Sequence, residues 1–452
     1  MQFIRFNLTI FLLFSLVSQA LAKEEKSVFN TKDSDNLNVL VEQIVDQAKN
    51  SSNLREFKRL KEIVIVPFNS TPLFLQTLES LKLAEEKKNE IFSKFLPRAT
   101  SSIGGGIKSG GLNNDTNSKS INFNVSQLVY DFGVTKRQVN ASKQEMLATQ
   151  SRVDTQRTEL LLEIISALHE VYRAKTQLLL SQGFVEVRRG FLLSMKEREK
   201  LGGSSGADVI RAETKLSDAL DKIPLQVRML RDSEAKVFEF FAQGVADISL
   251  TKLPNVDSQD IAITDEILEK NFKILELLGQ VDAARLNFEA ERRTSFGKFA
   301  LQAGYQNTDT NLLSPQEQSS LLLTYQVDVF TGFERSSKIA QAGYRVSTLE
   351  FELERVKREI KTQLGQSINA FDAQSASVLS RAELVVGAKL SNEVNKELFE
   401  LNKTSINDLF RSQEEYISAA KNLVDAMVDK NISFYQMMAK FGLLLSIFDL
   451  GA

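Results

Sequence analysis

The stretch LGGSSGADVIRAETKLSDA fills residues 201–219, and LNKTSINDLFRSQEEYISA fills residues 401–419. The two stretches resemble each other at a constant offset of 200 residues. The identical pairs are Leu201/Leu401, Ser205/Ser405, Asp208/Asp408, Arg211/Arg411 and Ala219/Ala419. Repetition at a fixed period indicates that one structural unit is built twice. We therefore expect two copies of one unit in the 452 residues rather than several unrelated domains.

A long helical pattern precedes each of these stretches. Residues 134–200 contain no proline, and their apolar residues fall at helical spacing from Leu161 to Leu179. Residues 334–400 repeat this length and character. At about 1.5 Å per residue, each helix would be about 100 Å long. A pattern of this length is typical of a coiled coil or a helical stalk.

The repeated stretches are predicted to be the tips of two antiparallel helical hairpins. Glycines in the first copy and Asn402 in the second can end the long helix in a left-handed conformation. Serine and threonine side chains can then cap the return helices, which we expect at about 206–242 and 406–440. The predicted tip residues are Gly202, Gly203, Ser204, Ser205, Asn402, Lys403, Thr404 and Ser405.

The apolar period changes from 3.6 to 2 just before each long helix, which predicts strands at about 119–131 and 319–330. Upstream partner strands are predicted at about 96–107 and 297–307, and Gly133 and Gly332 mark the strand-to-helix turns. Strands of about ten residues can cross an outer membrane at a tilt. An ordinary half-buried soluble hairpin remains the alternative. The predicted lipid-facing residues are Ile121, Phe123, Val125, Val129, Leu321, Leu323, Tyr325, Val327 and Val329.

The N-terminus has the pattern of a secretory signal peptide over residues 1–22. Arg5 precedes an apolar run at 6–17, and Ala20-Leu21-Ala22 is a small-x-small cleavage site. A transmembrane anchor is the alternative, but the run of about 12 residues is short against the roughly 20 that span a bilayer. Further segments are expected as follows: a first repeat at 23–243, a connection at 244–263, a second repeat at 264–452, and shorter helices at about 35–49, 72–94 and 263–294.

The composition argues against several classes of site. Cysteine is absent, the net charge is -2, and His169 is the single histidine. We therefore expect no disulfide, no metal site, no cofactor and no nucleic-acid partner. His169 lies within the long helix and is interpreted as an ordinary helical residue. The carboxylates lie on charged helix faces, and we do not expect an enzyme.

The order of these parts resembles the TolC family of outer membrane channel proteins, over nearly the whole chain after residue 22. VYDFG at 129–133 is similar to the family's Leu-Phe-Asp-Gly-Gly turn, and VFTG at 329–332 is a fainter copy. The tip pattern is GGSS at 202–205 followed by DVIRA at 208–212. The resemblance implies a mainly α chain with a small membrane β part. It also implies an internal pseudo-repeat of a β-hairpin plus a long antiparallel helical hairpin.

The resemblance further implies an assembly and a task. Three protomers would close a 12-stranded barrel in the outer membrane above an α-helical tunnel through the periplasm. The tunnel would meet a periplasmic adaptor and an inner-membrane pump, and would export small molecules or proteins of type I secretion. The residues do not distinguish these two substrate classes. A periplasmic coiled-coil scaffold without a pore is the alternative function.

The resemblance also places a periplasmic gate at the tips. The family carries an aspartate at the position of Asp408, with Asp208 as its counterpart in the first repeat. Where well-known members have a second aspartate, this chain has Arg411, and Arg211 in the first repeat. Asp408 and Arg411, one helical turn apart, are therefore expected either to form ion pairs that close the tip or to be solvated cap and face residues.

Overall fold

The computed structural model describes residues 35–49, 54–110, 114–241, 250, 252–254, 256, 268–310 and 313–450. The predicted signal peptide and most of the predicted connection at 244–263 lie outside these residues. The helices are α1 (Asp35–Lys49), α2 (Leu54–Ser70), α3 (Pro72–Phe92), α4 (Val134–Lys200), α5 (Gly206–Phe241), α6 (Phe272–Arg293), α7 (Glu334–Glu400), α8 (Ile406–Lys440) and α9 (Leu444–Ile447). The strands are β1 (Arg98–Gly110), β2 (Asn114–Tyr130), β3 (Lys298–Thr310) and β4 (Leu313–Gln326).

The fold class agrees with the prediction of a mainly α chain with a small β part. The helix Leu54–Ser70 is not among the predicted elements, and it contains Pro67, a residue type that usually breaks a helix. Pro67 has no N–H to donate to the preceding turn, but the helix continues past it, and the Thr71 N–H donates to the Pro67 carbonyl oxygen at 3.0 Å. Among the described residues, no helix is long and apolar enough to cross a membrane.

The chain divides into two compact units, and the long helices contribute residues to each. The tip unit takes its described residues from Met1–Ile65, Ile164–Gln259 and Asn369–Phe434. The sheet unit takes its described residues from Val66–Glu163, Asp260–Ile368 and Tyr435–Ala452.

The core of the tip unit is formed where α1, α4 and α8 bury their apolar stripes. Val41 of α1, Leu168 of α4 and Leu423 of α8 are almost completely buried. His169 is fully buried beside Leu168, and its Nδ1 lies 2.8 Å from the carbonyl oxygen of Ile165. Burial lowers the pKa of His169 to about 4. The imidazole is therefore a neutral core group at neutral pH.

The sheet unit contains one antiparallel sheet in the order β1-β2-β3-β4. The hairpin β1-β2 comes from the first repeat and β3-β4 from the second, so the β2-β3 pairing joins the repeats. Val125 lies opposite Ala99 of β1 and Ala303 of β3, and Ala303 lies opposite Leu321 of β4. This register aligns the apolar alternation of all four strands.

The strands differ from their predicted bounds. They contain 13, 17, 13 and 14 residues, because polar segments beyond the predicted strand ends also pair in the ladder. Antiparallel backbone hydrogen bonds do not require apolar side chains. The fourth strand ends at Gln326, earlier than the predicted residue 330, so Val327 and Val329 lie beyond it.

A β-bulge corrects one further expectation. The register between β2 and β3 shifts between Leu128 and Tyr130, so Tyr130, and not Val129, lies opposite Phe299. A bulge inserts one extra residue and exchanges the faces of the residues that follow. Tyr130 therefore takes the place on the apolar face that the alternation assigns to Val129.

Candidate functional site

The two tips of the helical hairpins share one backbone geometry. The N–H of Gly203 donates to the carbonyl oxygen of Arg198 at 2.7 Å, and the N–H of Lys403 donates to that of Leu398 at 2.8 Å. Gly202 and Asn402 occupy the left-handed position that precedes these donors, at φ 73° and 57°. This is the Schellman motif, which satisfies the last carbonyl groups of a helix. Each long helix therefore ends at a defined residue rather than by fraying.

A serine and an aspartate start each return helix. The Ser205 hydroxyl accepts from the Asp208 N–H at 3.2 Å and donates to the Asp208 carboxylate at 2.6 Å. Ser405 and Asp408 repeat these two distances. In the first repeat the Ser205 N–H also donates to the Asp208 carboxylate at 3.4 Å, which completes a capping box and satisfies a second free N–H group at the helix start. The aspartates proposed for the gate therefore also have a local structural role.

The charged pairs behind the tips differ between the repeats. In the first repeat the Arg211 guanidinium lies 3.2 Å from the Asp208 carboxylate. Within the described part of the chain, Arg411 makes no ion pair with Asp408 within 4.0 Å. The hydrogen bond from the Ser405 hydroxyl lowers the pKa of Asp408, and the charge of Arg411 adds to this effect at longer range. An Asp408–Arg411 contact within one chain is thus not formed.

A compact apolar cluster lies directly beneath the tips. Leu192 and Met195 of α4 pack there with Ile406 and Phe410 of α8 and with Val209 and Ala212 of α5. The ring of Phe191 lies 5.3 Å from that of Phe410 and 5.7 Å from that of Phe399. The cluster joins the helices of the first hairpin to the start of α8, which carries Asp408 and Arg411.

One face of the sheet carries apolar residues in cross-strand rows. Residues directly opposite each other in antiparallel strands project to the same face. The rows are Tyr130–Phe299–Tyr325, Gln127–Leu301–Leu323, Ala99–Val125–Ala303–Leu321, Ser101–Phe123–Tyr305–Ser319 and Ile103–Ile121–Asn307–Glu317. Six residues predicted to face lipid share this face: Ile121, Phe123, Val125, Leu321, Leu323 and Tyr325.

The opposite face of the sheet is polar. Its central rows are Ser102–Asn122–Gln306–Gln318 and Thr100–Asn124–Gly304–Ser320. Asn122 donates from its side chain to the Ser102 hydroxyl at 3.4 Å. A sheet with one apolar and one polar face can separate a hydrocarbon phase from an aqueous phase.

Aromatic rings gather at the end of the sheet where the strands lead into helices. The rings of Phe299 and Tyr325 lie 4.6 Å apart, and Phe132 lies 5.0 Å from Tyr130 and 5.5 Å from Phe296. The Tyr325 hydroxyl donates to the carbonyl oxygen of Phe296 at 3.0 Å. Aromatic side chains of this kind are enriched where a membrane protein meets the lipid headgroups.

The turns from strand to helix are built differently in the two repeats. Gly133 and Gly332 have positive φ, of 82° and 58°, and so do Phe132 and Phe333. In the first turn the Asp131 carboxylate accepts from the N–H groups of Gly133 and Thr135 at 3.0 and 2.7 Å. In the second, the Thr331 hydroxyl accepts from the Arg335 N–H at 3.4 Å. The first turn is the more strongly capped.

Comparison with known proteins agrees with this geometry. Residues 72–238 match the family described as outer membrane efflux protein. The chain is 22% identical over 404 residues to Outer membrane protein TolC of Vibrio cholerae serotype O1, covering 86% of this chain and 91% of the relative. The chain is therefore similar to the TolC family of outer membrane efflux proteins. Members of this family are transport ducts and not enzymes.

Solved structures share the fold of this chain. The Campylobacter jejuni CmeC outer membrane channel matches with a TM-score of 0.77 at 13% identity, over 88% of this chain and 89% of that one. The open state of the Neisseria gonorrhoeae MtrE outer membrane channel matches with a TM-score of 0.75 at 13% identity, over 85% and 89% of the two chains. At this identity the likeness concerns the fold.

Two residues with a structural role, Asp131 and Arg188, are not among those predicted from the sequence. Asp131 is part of the turn motif, but its capping role was not assigned, although an aspartate just before a helix is a capping signal. Arg188 is buried beneath the tips with 1% of its surface exposed. The sequence signal for this burial is the helical spacing that places Arg188 between Phe184 and Leu192 on the apolar stripe of α4.

Across the described ranges, no group of three or more histidine, cysteine, aspartate or glutamate side chains is arranged to hold a metal ion.

Proposed function

We propose that the protein is the outer membrane exit duct of an efflux system, that three copies assemble around one pore, and that a periplasmic adaptor and an inner-membrane pump supply its substrates. The observation that carries the proposal is the two-faced sheet attached to two 67-residue helices. Similarity to the outer membrane efflux family supports the outer membrane location and the transport function.

The open edges of the sheet support the homotrimer. β1 and β4 each pair on one side only, so one copy has two unpaired edges. Unpaired backbone groups are costly in hydrocarbon, and a closed barrel removes them. Three copies of four strands give a barrel of 12, an even number within the usual range. The polar face then lines the pore, and the apolar face contacts outer membrane lipid.

The position of the apolar rows supports a tilted barrel. The row of Ile103 and Ile121 is apolar on β1 and β2, whereas it continues as Asn307 and Glu317 on β3 and β4. The apolar band is therefore displaced by one row, about 6.6 Å, across two strand spacings of about 4.8 Å each. This displacement corresponds to a strand tilt of about 35°, within the range for membrane barrels.

The tip residues 202–205 and 402–405 are proposed to contact the adaptor, because they form the turns that end the two helical hairpins. Asp208, Arg211, Asp408 and Arg411 are proposed to line the periplasmic entrance of the duct. Capping fixes both aspartates one turn from the tip. Arg411 is exposed and lacks an ion pair with Asp408 inside its own chain, so its proposed partner is a neighbouring copy.

A scaffold without a pore is the less favoured alternative, because a soluble scaffold does not need an apolar sheet face of this extent. The substrates remain of two classes, small molecules and proteins of type I secretion. The described residues contain no feature that favours one class over the other.

Single-channel conductance of the purified protein in a planar bilayer tests the pore. The double variant Phe123→Asp/Leu323→Asp places charges on the apolar face and should abolish insertion and trimer formation in outer membranes. Asn122→Asp is the matched control, since it places a charge on the polar face one residue away and should leave insertion unchanged. Normal fractionation of the double variant as an outer membrane trimer would contradict the barrel.

A further inference from the structure

Arg188 is the largest of the fully buried side chains among the described residues, and it connects α4 to the start of α8. Its guanidinium carbon lies 4.7 Å from the ring centre of Phe184 and 4.6 Å from that of Phe410. Nη1 donates to the side-chain oxygen of Gln413 at 2.5 Å. Nη2 donates to the carbonyl oxygen of Phe410 and to the Glu414 carboxylate, both at 3.4 Å. One side chain of α4 thus contacts a single turn of α8 at three residues.

A charged group at this place is not needed for packing. Burial lowers the pKa of Arg188 to about 10, and the Glu414 carboxylate only partly opposes this effect. Within the described part of the chain, Nε of Arg188 has no hydrogen-bond partner. An apolar side chain of similar volume often serves stability as well as a buried ion pair. In some proteins buried ionic groups instead specify one register among several.

The contacted turn carries a gate candidate. Arg411 lies between Phe410 and Gln413, and it is exposed like Asp408, whereas Leu409, Phe410, Ser412 and Gln413 are buried. Successive residues of a helix differ by about 100° in direction. A small rotation of α8 would therefore bury Arg411 or Asp408 and expose their neighbours.

We propose that Arg188 is a positioning residue that sets the rotation of the first turns of α8 and thereby presents Asp408 and Arg411 to the entrance. The assignment rests on the proposed gate. The apolar contacts of Leu192 and Met195 with Ile406 and Phe410 tolerate rotation, because hydrophobic contacts are not directional. The planar fork of an arginine is directional and fixes the angle of its acceptors.

The contact of Arg188 with Glu414 also involves a further helix of the tip unit, α5. Glu414, which faces Arg188 at 3.4 Å, lies 3.8 Å from Nζ of Lys222 on α5. The carboxylate therefore has cations on two sides, from α4 and from α5. Removal of Arg188 leaves Glu414 partly exposed and still near Lys222, so the carboxylate is not left as an isolated buried charge.

Single-cysteine labelling tests the proposal, since the chain contains no cysteine. In the assembled wild-type background, Ser412→Cys should resist a water-soluble maleimide because Ser412 is buried, whereas Asn407→Cys should react. Adding Arg188→Met, which retains volume but lacks the fork, should abolish the protection of Ser412→Cys. Val424→Cys lies deep in the core and should stay protected.

The outcomes separate positioning from simple stability. If Ser412→Cys stays protected with Arg188→Met, the proposal is wrong. If Val424→Cys also becomes reactive, the substitution has loosened the core, and a positioning role is again contradicted. Arg188→Lys retains the charge without the fork and should behave like Arg188→Met; protection restored by lysine would overturn the role of the fork. Labelling does not require a pore, so it decides this question even if the duct proposal fails in bilayers.

Discussion

The Arg211 guanidinium lies 3.2 Å from the Asp208 carboxylate, one turn inside the first hairpin tip. The side chains are 55% and 28% exposed. The second repeat retains both residue types at Asp408 and Arg411, but within the described residues this contact does not form. Both aspartates accept from the serine hydroxyl three residues earlier, and the Asp408 carboxylate also accepts from the Thr404 hydroxyl at 3.5 Å. The same aspartate and arginine therefore make different contacts at the two tips.

This inequality predicts that the second repeat controls closure. Arg411→Ala and Asp408→Asn should each raise the resting conductance in a planar bilayer about two- to fivefold, because each removes one partner of the proposed exposed ion pair between copies. Asparagine retains the capping oxygen at position 408, so the change isolates the charge. Arg211→Ala and Asp208→Asn are the matched controls and should change conductance little, because that pair is satisfied within one helix. Unchanged conductance in both second-repeat variants would leave Asp408 and Arg411 as cap and face residues.

The shared turn geometry predicts a position-specific cost at the first tip. Gly202 has φ 73°, and a methyl group added there would meet open space. Gly203 has an ordinary φ, and a methyl group added there would lie 3.6 Å from the carbonyl oxygen of Arg198, an ordinary contact. Gly202→Ala should therefore destabilise the last turn of α4 by about 1 kcal/mol through backbone strain alone. Gly203→Ala is the control and should cost much less. Hydrogen exchange of the backbone amide at position 203 and of the neighbouring amides measures the difference. Equal protection in the two variants would contradict the assigned turn.

The long helices could be predicted because their evidence is local and repeated. An apolar period of 3.6 over dozens of residues, followed by residues suited to a C-cap, determines where α4 and α7 end. The strand ends could not be predicted in this way. Pairing of the polar segments beyond Ile107 and Asn307 depends on the partner strand, and the bulge at Val129 depends on how β2 meets β3. Alternation alone therefore assigns the last residue of β2 to the wrong face.

The candidate site, too, could be predicted from the sequence only in part. The positions of Asp208 and Asp408 follow from the repeat, and their capping bonds involve residues only three positions away. The different surroundings of Arg211 and Arg411 do not follow, because the rotamer of a long exposed side chain depends on its neighbours. Arg188 was missed because an arginine is ordinarily expected to be solvated, even on an apolar stripe. Only the packing of Phe184 and Phe410 on its two sides reveals its burial.

The capping of α4 predicts unequal costs at the two strand-to-helix turns. Asp131 is buried and accepts two N–H groups at 3.0 and 2.7 Å, whereas Thr331 accepts one at 3.4 Å. Asp131→Ala should destabilise the start of α4 by about 1–2 kcal/mol, and Thr331→Ala should cost less. Hydrogen exchange in the first turns of α4 and α7 measures both. Asp131→Asn retains one of the two acceptor oxygens and should restore only part of the protection; a larger loss in Thr331→Ala than in Asp131→Ala would contradict this account.

Burial of His169 predicts a dependence of stability on pH. Its pKa falls from 6.5 to about 4 in the folded chain because burial disfavours the imidazolium. The unfolded chain therefore binds more protons between these values. The free energy of unfolding therefore has its full value, as far as His169 is concerned, above pH 6.5. It falls by on the order of 3 kcal/mol as the pH falls toward 4.

His169→Gln should therefore reduce the loss of thermal stability between pH 6.5 and 4. At pH 7.5 the substitution should leave thermal stability unchanged. Asp425 provides a contrast of opposite sign. Burial raises its pKa despite the nearby Arg173, so the folded chain takes up a proton there as the pH falls and is stabilised by it. Asp425→Asn should make the acid loss steeper. Thermal unfolding midpoints across this range measure both slopes, and an unchanged slope in His169→Gln would show that the imidazole does not control acid stability.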